Sequence, residues 1–161
     1  MKEIPLTSGG VALVDDEDFD RVSAEGSWYA AASLNTSYAR RVYHLGGGRY
    51  TTRTMHGLIT GLPYVDHVNG DGLDNRRTNL RPATASQNQA NQRMRRDNTS
   101  GFRGVQAAPN DRWRALIIVG GKRISLGYYD AREDAARAYD AAAIKFFGEY
   151  ARPNFPRENY A

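Results

Sequence analysis

The sequence predicts an α+β chain in two parts, and three observations carry that reading. Residues 64–96 read as a short strand, a polar loop rich in Asn, Asp and Gly, a second short strand and a polar helix. Residues 101–147 read as three strands, with a Gly120-Gly121 hairpin turn, followed by one helix with an apolar stripe. The basic stretch Arg93–Ser100 separates the two. A chain of 161 residues has room for one medium domain or two small ones. The expected division is a first domain at 1–96, with a β-rich N-terminal support, and a second at 100–156.

Val11–Val14 follows a Gly9-Gly10 turn and precedes an acidic run, which suits a short strand. Trp28-Tyr29 and Tyr38–Tyr43 are aromatic-rich and strand-like. Gly46-Gly47-Gly48 turns the chain, and Arg49–Arg53 supplies the return strand of a hairpin. Met55–Ile59 is a short helix that Gly61 and Pro63 stop. Tyr64–Val68 and Leu80–Ala83 are the two short strands flanking the polar loop Asn69–Asn79. The helix predicted over 85–95 opens with capping-box spacing, Thr84 to Gln87, and has almost no apolar face. In the second part the strands are Gly101–Gln106, Trp113–Val119 and Lys122–Leu126. The last helix is expected to start at Asp130, with Glu133 completing a capping box. Its stripe is Ala135, Ala138, Tyr139, Ala142, Ala143, Phe146 and Phe147, and Gly148 is its C-terminal cap. Pro153-Asn154-Phe155-Pro156 cannot be helical and should pack back.

Composition narrows the function classes. There is no cysteine, which removes disulfides, thiolate nucleophiles and cysteine zinc sites, so no structural zinc is expected. Apolar runs such as Ala115–Val119 are far too short to span a bilayer, and Lys2-Glu3-Ile4-Pro5 opens no secretory signal. The expectation is a cytoplasmic chain without a membrane partner. The net charge is +4 and unevenly spread. Residues 1–20 hold one base against six acids, whereas residues 21–96 hold eleven Arg against four acids. Of the 22 bases 19 are Arg, the cation whose fork matches phosphate and guanine edges, so nucleic acid is the expected partner.

Cutting a phosphodiester needs an acceptor for the proton of an attacking water, and stabilisation of the leaving oxygen. A neutral His supplies the first near physiological pH, and an oxygen-ligated divalent cation supplies the second. Asp66 and His67 stand together at the end of a short strand. Asn79, at the entry to the second strand, can brace the loop through side-chain to backbone hydrogen bonds. Asn88, in the first turns of the following helix, offers a hard neutral oxygen; Asn91, one turn on, is its rival. A turn with a surface Asp-His pair is the plain alternative. A calcium loop through Asn69, Asp71 and Asp74 fails on spacing and lacks the bidentate Glu.

Asp66-His67, Asn79-Leu80-Arg81 and Asn88, with the string from Val65 to Arg81, resemble the HNH nucleases, in particular the homing endonucleases of phages and group I introns. The resemblance implies a ββα-metal finger over about 64–96. It implies His67 as general base, Asp66 and Asn88 as ligands of one divalent ion, magnesium or manganese, and Asn79 as the residue orienting loop and base. His56 begins Met55-His56-Gly57, where homing relatives carry a His followed by a basic residue. It either approaches the site or packs as a hydrogen-bonded helix-start residue. His44, beside the glycine turn, is read as solvated.

Gly101-Phe102-Arg103-Gly104-Val105, Trp113-Arg114-Ala115, Leu126-Gly127 and Ala135–Ala143 look like the ethylene-response-factor (Apetala-two) DNA-binding domain, and Asn154-Phe155 matches its ending. The family lays a three-stranded sheet in the DNA major groove and packs a helix on the other face. Strand parity assigns Trp113, Ala115, Ile117 and Val119 to the helix side and Arg114, Leu116 and Ile118 to the other. The implied DNA contacts are Arg103, Arg112, Arg114, Lys122, Arg123 and Ser125. Gln106, Leu116, Ile118 and Ser125 depart from the plant pattern, so its base preference does not carry over. Together the two resemblances imply a small endonuclease acting on double-stranded DNA. It would nick as a monomer, with a dimer needed for two-strand cuts. A non-catalytic DNA-binding regulator with a decayed finger is the competing class, and a structural phage protein is a third.

Overall fold

Ten strands in four small antiparallel sheets and four α-helices make up the described residues of the computed structural model, which are 1–33, 36–94 and 97–160. The chain divides into two compact units, Met1–Thr84 and Ala85–Ala161. Arg95 and Arg96, at the expected junction and at the end of the expected 85–95 helix, lie outside the described residues. No described helix is long and apolar enough to cross a membrane.

In the first unit, β1 (Lys2–Pro5) pairs with β2 (Val11–Val14), and α1 (Asp16–Ala24) follows. Neither β1 nor α1 is expected from the sequence pattern. The acidic run is the start of α1, where Asp16, Glu17 and Asp18 occupy the first turn and complement the helix dipole. β3 (Tyr29–Ala32), β4 (Ser37–Gly46) and β5 (Arg49–Thr54) form a three-stranded sheet in that order, with the expected hairpin joining β4 and β5. α2 (Met55–Thr60) is capped by Thr54 Oγ1, which accepts from Gly57 N. It ends at Gly61, whose φ of 69° lies in the left-handed region. β6 (Val65–His67) and β7 (Leu80–Pro82) close the unit as a two-stranded sheet. The core is Ile4, Leu6, Ala12, Val14, Val22, Trp28, Ala39, Met55 and Ile59. Trp28 is fully buried and its Nε1 donates to the Val22 carbonyl at 3.0 Å, so the largest core side chain leaves no polar atom unpaired.

The second unit opens with α3 (Ala85–Asn91), shorter than expected, which buries Ala90 among Ile117, Tyr139, Ala143, Phe147 and Ala151. β8 (Val105–Ala108), β9 (Arg112–Val119) and β10 (Lys122–Tyr129) form a sheet in the order β10–β9–β8, with α4 (Arg132–Phe147) packed on one face. Three boundaries differ from expectation. The first strand starts at Val105, because residues 101–104 form a turn. There Asn98 Oδ1 accepts from Gly101 N at 2.7 Å, and Ser100 Oγ lies 2.9 Å from the Val105 carbonyl. The third strand runs on to Tyr129. The Asp130–Glu133 capping box does not form: the N-cap is Ala131, without a side-chain cap, and Asp130 pairs with Arg112 at 3.2 Å. Phe146, assigned to the apolar stripe, is instead 46% exposed.

Two contacts hold strand, helix and tail together. A Cβ on Gly104 (φ +71°) would sit 1.9 Å from the Tyr139 ring, so only glycine lets the chain cross that ring. Asp140 is fully buried and accepts from Asn154 N and Nδ2 at 2.8 Å each, Phe155 N at 2.9 Å and Tyr160 Oη at 2.9 Å. That carboxylate draws the Pro153–Pro156 segment back onto the helix. Asp140→Ala strands these donors, and should destabilise the second unit by about 3 kcal/mol or more, read as a lowered urea midpoint at unchanged slope.

Candidate functional site

The β6–β7 pair sets Asp66 opposite Arg81 and His67 opposite Leu80. Between them the polar loop is held by its own side chains. Asn69 Oδ1 accepts from Asp71 N at 2.8 Å, and Asp71 Oδ1 accepts from Leu73 N at 3.0 Å, two successive Asx turns. Asn79 is buried and spans the loop. Its Oδ1 accepts from Asn69 N at 2.9 Å and its Nδ2 donates to the Asp74 carbonyl at 2.8 Å. The buried Asp74 carboxylate accepts from Asn69 Nδ2 (2.9 Å) and from Arg76 Nε and Nη2 (2.7 and 2.6 Å). The Arg76 hydrogen bonds hold that carboxyl below its ordinary pKa.

The loop is also anchored outward. Leu13 N donates to the Leu73 carbonyl and Asn75 N to the Leu13 carbonyl, both at 2.8 Å, so the loop runs beside β2. Arg77 reaches α1 with a bidentate pair on buried Asp18, Nε at 2.7 Å and Nη2 at 2.8 Å. Gly72 rests on β4, where a Cβ would come within 2.4 Å of the Ser37 carbonyl.

His67 is buried, 4% exposed. Its Nε2 lies 3.4 Å from Asn75 Oδ1, and Asn75, itself fully buried, is oriented by its Nδ2 donating to the Leu73 carbonyl at 3.1 Å. Burial lowers the His67 pKa from its ordinary value, against the Asn75 hydrogen bond and the charges of Asp66, Asp71 and Asp74, which raise it. The imidazole is therefore neutral at pH 7. His56 stands edge-on to it, with ring centroids 5.1 Å apart, and Tyr38 contacts both rings at 5.6 Å. Burial, then His67 and Arg40, lower His56 to about 4. His56 does meet His67, but it is not the hydrogen-bonded helix-start residue of the second expectation. Its Nδ1 is buried, with no hydrogen-bond partner among the described residues.

Asp66 is buried, and its Oδ2 accepts from Arg81 Nε at 2.8 Å and Nη2 at 2.7 Å. Among the described residues no group of three or more His, Asp or Glu side chains could hold a metal. Asp66 and Asn88 are both hard oxygen donors, the chemistry that magnesium and manganese accept. Asp66 already shares its charge with the Arg81 guanidinium. Asn88 and Asn91 lie on α3, in the second unit, Asn88 half-buried and Asn91 buried.

In the second unit, register puts Gln106, Arg114 and Tyr128 on one face, joined by Leu116 with Ser125 and Ile118 with Arg123. The opposite parity carries Trp113, Ala115, Ile117 and Val119. Of these Ala115 and Ile117 are core, and Trp113 and Val119 are packed against it. Arg114 donates from Nε to Ser125 Oγ at 3.3 Å and, with Arg112, flanks the Tyr128 ring. Arg112 Nη2 also donates to the Tyr128 carbonyl at 2.7 Å. Lys122 pairs with Val119 and so has the other parity. Arg103 precedes β8 and is half-buried; burial lowers its pKa, and a hydrogen bond to Tyr139 holds it. Tyr128, 48% exposed between two arginines, is not among the contacts that the sequence implies. Neither is Asn75, although it stands inside the string that carries the resemblance; only the folded loop turns its amide toward His67.

The three-stranded sheet and helix define the class of the second unit, and residues 100–149 match the AP2 domain. The chain is 32% identical over 103 residues to an uncharacterized HNH endonuclease of Acanthamoeba polyphaga mimivirus, covering 64% of this chain and 53% of that protein. It is 40% identical over 95 residues to an AP2/ERF and B3 domain-containing protein of Oryza sativa subsp. japonica, covering 59% of this chain and 23% of that one. Over 57 residues it is 51% identical to an ethylene-responsive transcription factor of Nicotiana tabacum, 34% of this chain and 25% of that protein. These similarities support an HNH-plus-AP2 composition. The chain spans about half the length of the mimivirus relative and about a quarter of the plant ones.

The buried imidazoles make stability depend on pH. With His56 at about 4 when folded and about 6.5 when unfolded, the unfolded chain binds the proton more tightly. The associated stability is full above about pH 6.5. It is lost as pH falls toward 4, about 3 kcal/mol in all. Urea denaturation of wild type and His56→Phe in steps from pH 7 to 4 should show a shallower decline in the variant.

Proposed function

We propose that the chain is a metal-dependent DNA endonuclease that hydrolyses one phosphodiester strand and leaves 5′-phosphate and 3′-hydroxyl ends. The observation that carries this is the buried, neutral His67, held by Asn75 beside Asp66 in a loop braced by Asn79. With Nε2 donating to Asn75 Oδ1, Nδ1 carries the lone pair and takes the proton of the attacking water. Asn79 is a positioning residue: its amide bonds within the loop and fixes where His67 stands. Asp66 and Asn88 are the residues proposed to hold one magnesium or manganese ion, which would stabilise charge on the phosphate and the leaving oxygen. A ββα-metal finger is the architecture that the resemblance implies for this stretch of the sequence. The AP2 unit binds double-stranded DNA through Arg112, Arg114, Arg123 and Ser125, with Lys122 at the hairpin end and Arg103 supporting the sheet from within. Homing-type use of such an enzyme is the finer reading that the resemblance suggests.

A second reading has one observation in its favour. The Arg81–Asp66 ion pair neutralises the only carboxylate proposed for the metal. In that reading the chain binds DNA without cutting it.

A nicking assay on supercoiled plasmid, with magnesium or manganese and with chelator, separates the two. The nuclease reading expects metal-dependent nicking that His67→Ala abolishes while DNA affinity stays within about threefold, because a neutral proton acceptor is lost and no charge. The lowered His67 pKa keeps the base competent below pH 6.5, so the rate should fall only at more acidic pH. Metal-independent activity, or an undiminished His67→Ala variant, would sink the assignment.

The DNA-reading face has its own test. Arg123→Ala and Arg114→Ala should weaken binding at unchanged single-turnover rate. Each phosphate that is no longer neutralised should reduce the log–log salt slope by about 0.9. An unaltered slope in both variants would remove this face from the interface.

A further inference from the structure

Two buried nitrogens, one on a residue whose ring meets His67 and one on a residue whose charge acts on that neighbour, lack a hydrogen-bond partner among the described residues. Arg40 lies on β4 two residues from Tyr38, so the two side chains share a face, while Ala39 between them points into the core. Arg40 pairs across the sheet with Thr54, the cap of α2, and His56 follows two residues later. Tyr38 touches the rings of both His56 and His67 at 5.6 Å. One face of β4 and the start of α2 thus converge beside the candidate general base.

The two nitrogens are Arg40 Nε and His56 Nδ1. Buried polar atoms almost always have a partner. No acidic residue occurs from Gly26 to Val65, and Asp66, the next, is engaged by Arg81. A guanidinium only donates, so whatever completes Arg40 must be an acceptor. A neutral imidazole with its hydrogen on Nδ1 donates in the same way. Arg40 acts on His56 through its charge, and two neighbouring donors without an acceptor call for an oxyanion.

We propose that Arg40 Nε and His56 Nδ1 form a phosphate cradle that takes the non-bridging oxygens of the phosphodiester attacked at His67. This rests on the nuclease reading for its substrate, but the cradle itself is a binding site that can be tested without cleavage. The cradle sets the phosphorus in front of the water that His67 deprotonates and offsets charge that grows on the oxygens.

The test uses the full chain. Single-turnover nicking is compared for wild type, Arg40→Met, Arg40→Lys, His56→Phe and His56→Asn, with duplex affinity and melting temperature measured beside each. Arg40→Met should slow cleavage about a hundredfold, the scale of one lost transition-state donor. Its affinity should change by less than about threefold, since one phosphate among several is affected. Arg40→Lys should recover part of the rate by keeping the charge, and His56→Asn more than His56→Phe by keeping a donor near the Nδ1 position. In parallel, imidazole ¹⁵N spectra are followed while inorganic phosphate is added. The His56 Nδ1 resonance should move in wild type and stay in Arg40→Met. A wild type that nicks, with Arg40→Met and His56→Phe equally fast, overturns the cradle and leaves the nuclease. A wild type that never nicks, yet whose His56 resonance responds to phosphate through Arg40, keeps the cradle and overturns the nuclease reading. A His56 resonance indifferent to phosphate in wild type overturns the cradle whatever the cleavage result.

Discussion

The first unit depends on the hydrogen bonds of one side chain, the Asn79 amide. Asn79 closes a ten-residue gap to Asn69 and reaches back to the Asp74 carbonyl, so a loop with almost no apolar content acquires a fixed shape. Such a loop has little hydrophobic reason to order, and each residue fixed costs about 1–2 kcal/mol of backbone entropy. The compensation is a connected polar network in which Asp74, Asn69, Arg76 and Asn75 each satisfy another member or the backbone. Networks of this kind are all-or-none: a member removed leaves buried donors or acceptors stranded. That is why His67 can sit on a three-residue strand and still have a defined neighbour at its Nε2.

The same logic appears in the second unit with different chemistry. There a single buried carboxylate, Asp140, gathers two backbone amides, one side-chain amide and a phenol from the C-terminal segment. Asn154 passes the constraint on, accepting from Arg103 N at 2.6 Å and donating to the Arg103 carbonyl at 3.1 Å. The tail, the turn before β8 and α4 become one assembly. The outer face of the sheet is left to carry arginines, a tyrosine and branched residues that no helix covers. Exposed Arg–Tyr stacking there preorganises guanidinium planes at little entropic cost.

Much of this is legible in the sequence, for reasons that differ by element. Strand alternation in Trp113–Val119 separates core from surface because a period of two has only one alternative register. The polar string around Asp66-His67 is legible because its residue types have few other uses together. α1 escapes the sequence pattern because the acids at its start look like a solvated run; they form a helix start whose Asp15 and Asp18 receive Arg77. The start of β8 is misplaced by pattern alone because Gly101 and Gly104 serve a turn and a ring crossing, and the ring belongs to a residue distant in sequence. The capping box at Asp130 fails because the helix starts at Arg132 with Ala131 as its N-cap, which leaves Asp130 one residue too early to cap it. Asn75, Tyr38 and His56 cannot be assigned together from sequence, since only the packing of β4, α2 and the loop makes them neighbours of His67.

Charge pairing explains where an anionic substrate is best received. Three acids near the polar loop are ion-paired, Asp18 with Arg77, Asp74 with Arg76 and Asp66 with Arg81, while Asp15 accepts from the Arg77 backbone N–H. Each ion pair cancels locally, and Asp71 adds a further negative charge that acts on His67. β4 and β5 bear Arg40, Arg41, Arg49 and Arg53 in a segment with no acid from Gly26 to Val65. The positive charge of the β3–β4–β5 sheet is therefore carried by arginines that no acid of the same segment offsets. Burial favours the neutral form of both imidazoles, so the positive charge of this sheet comes from its arginines and not from the histidines beside it.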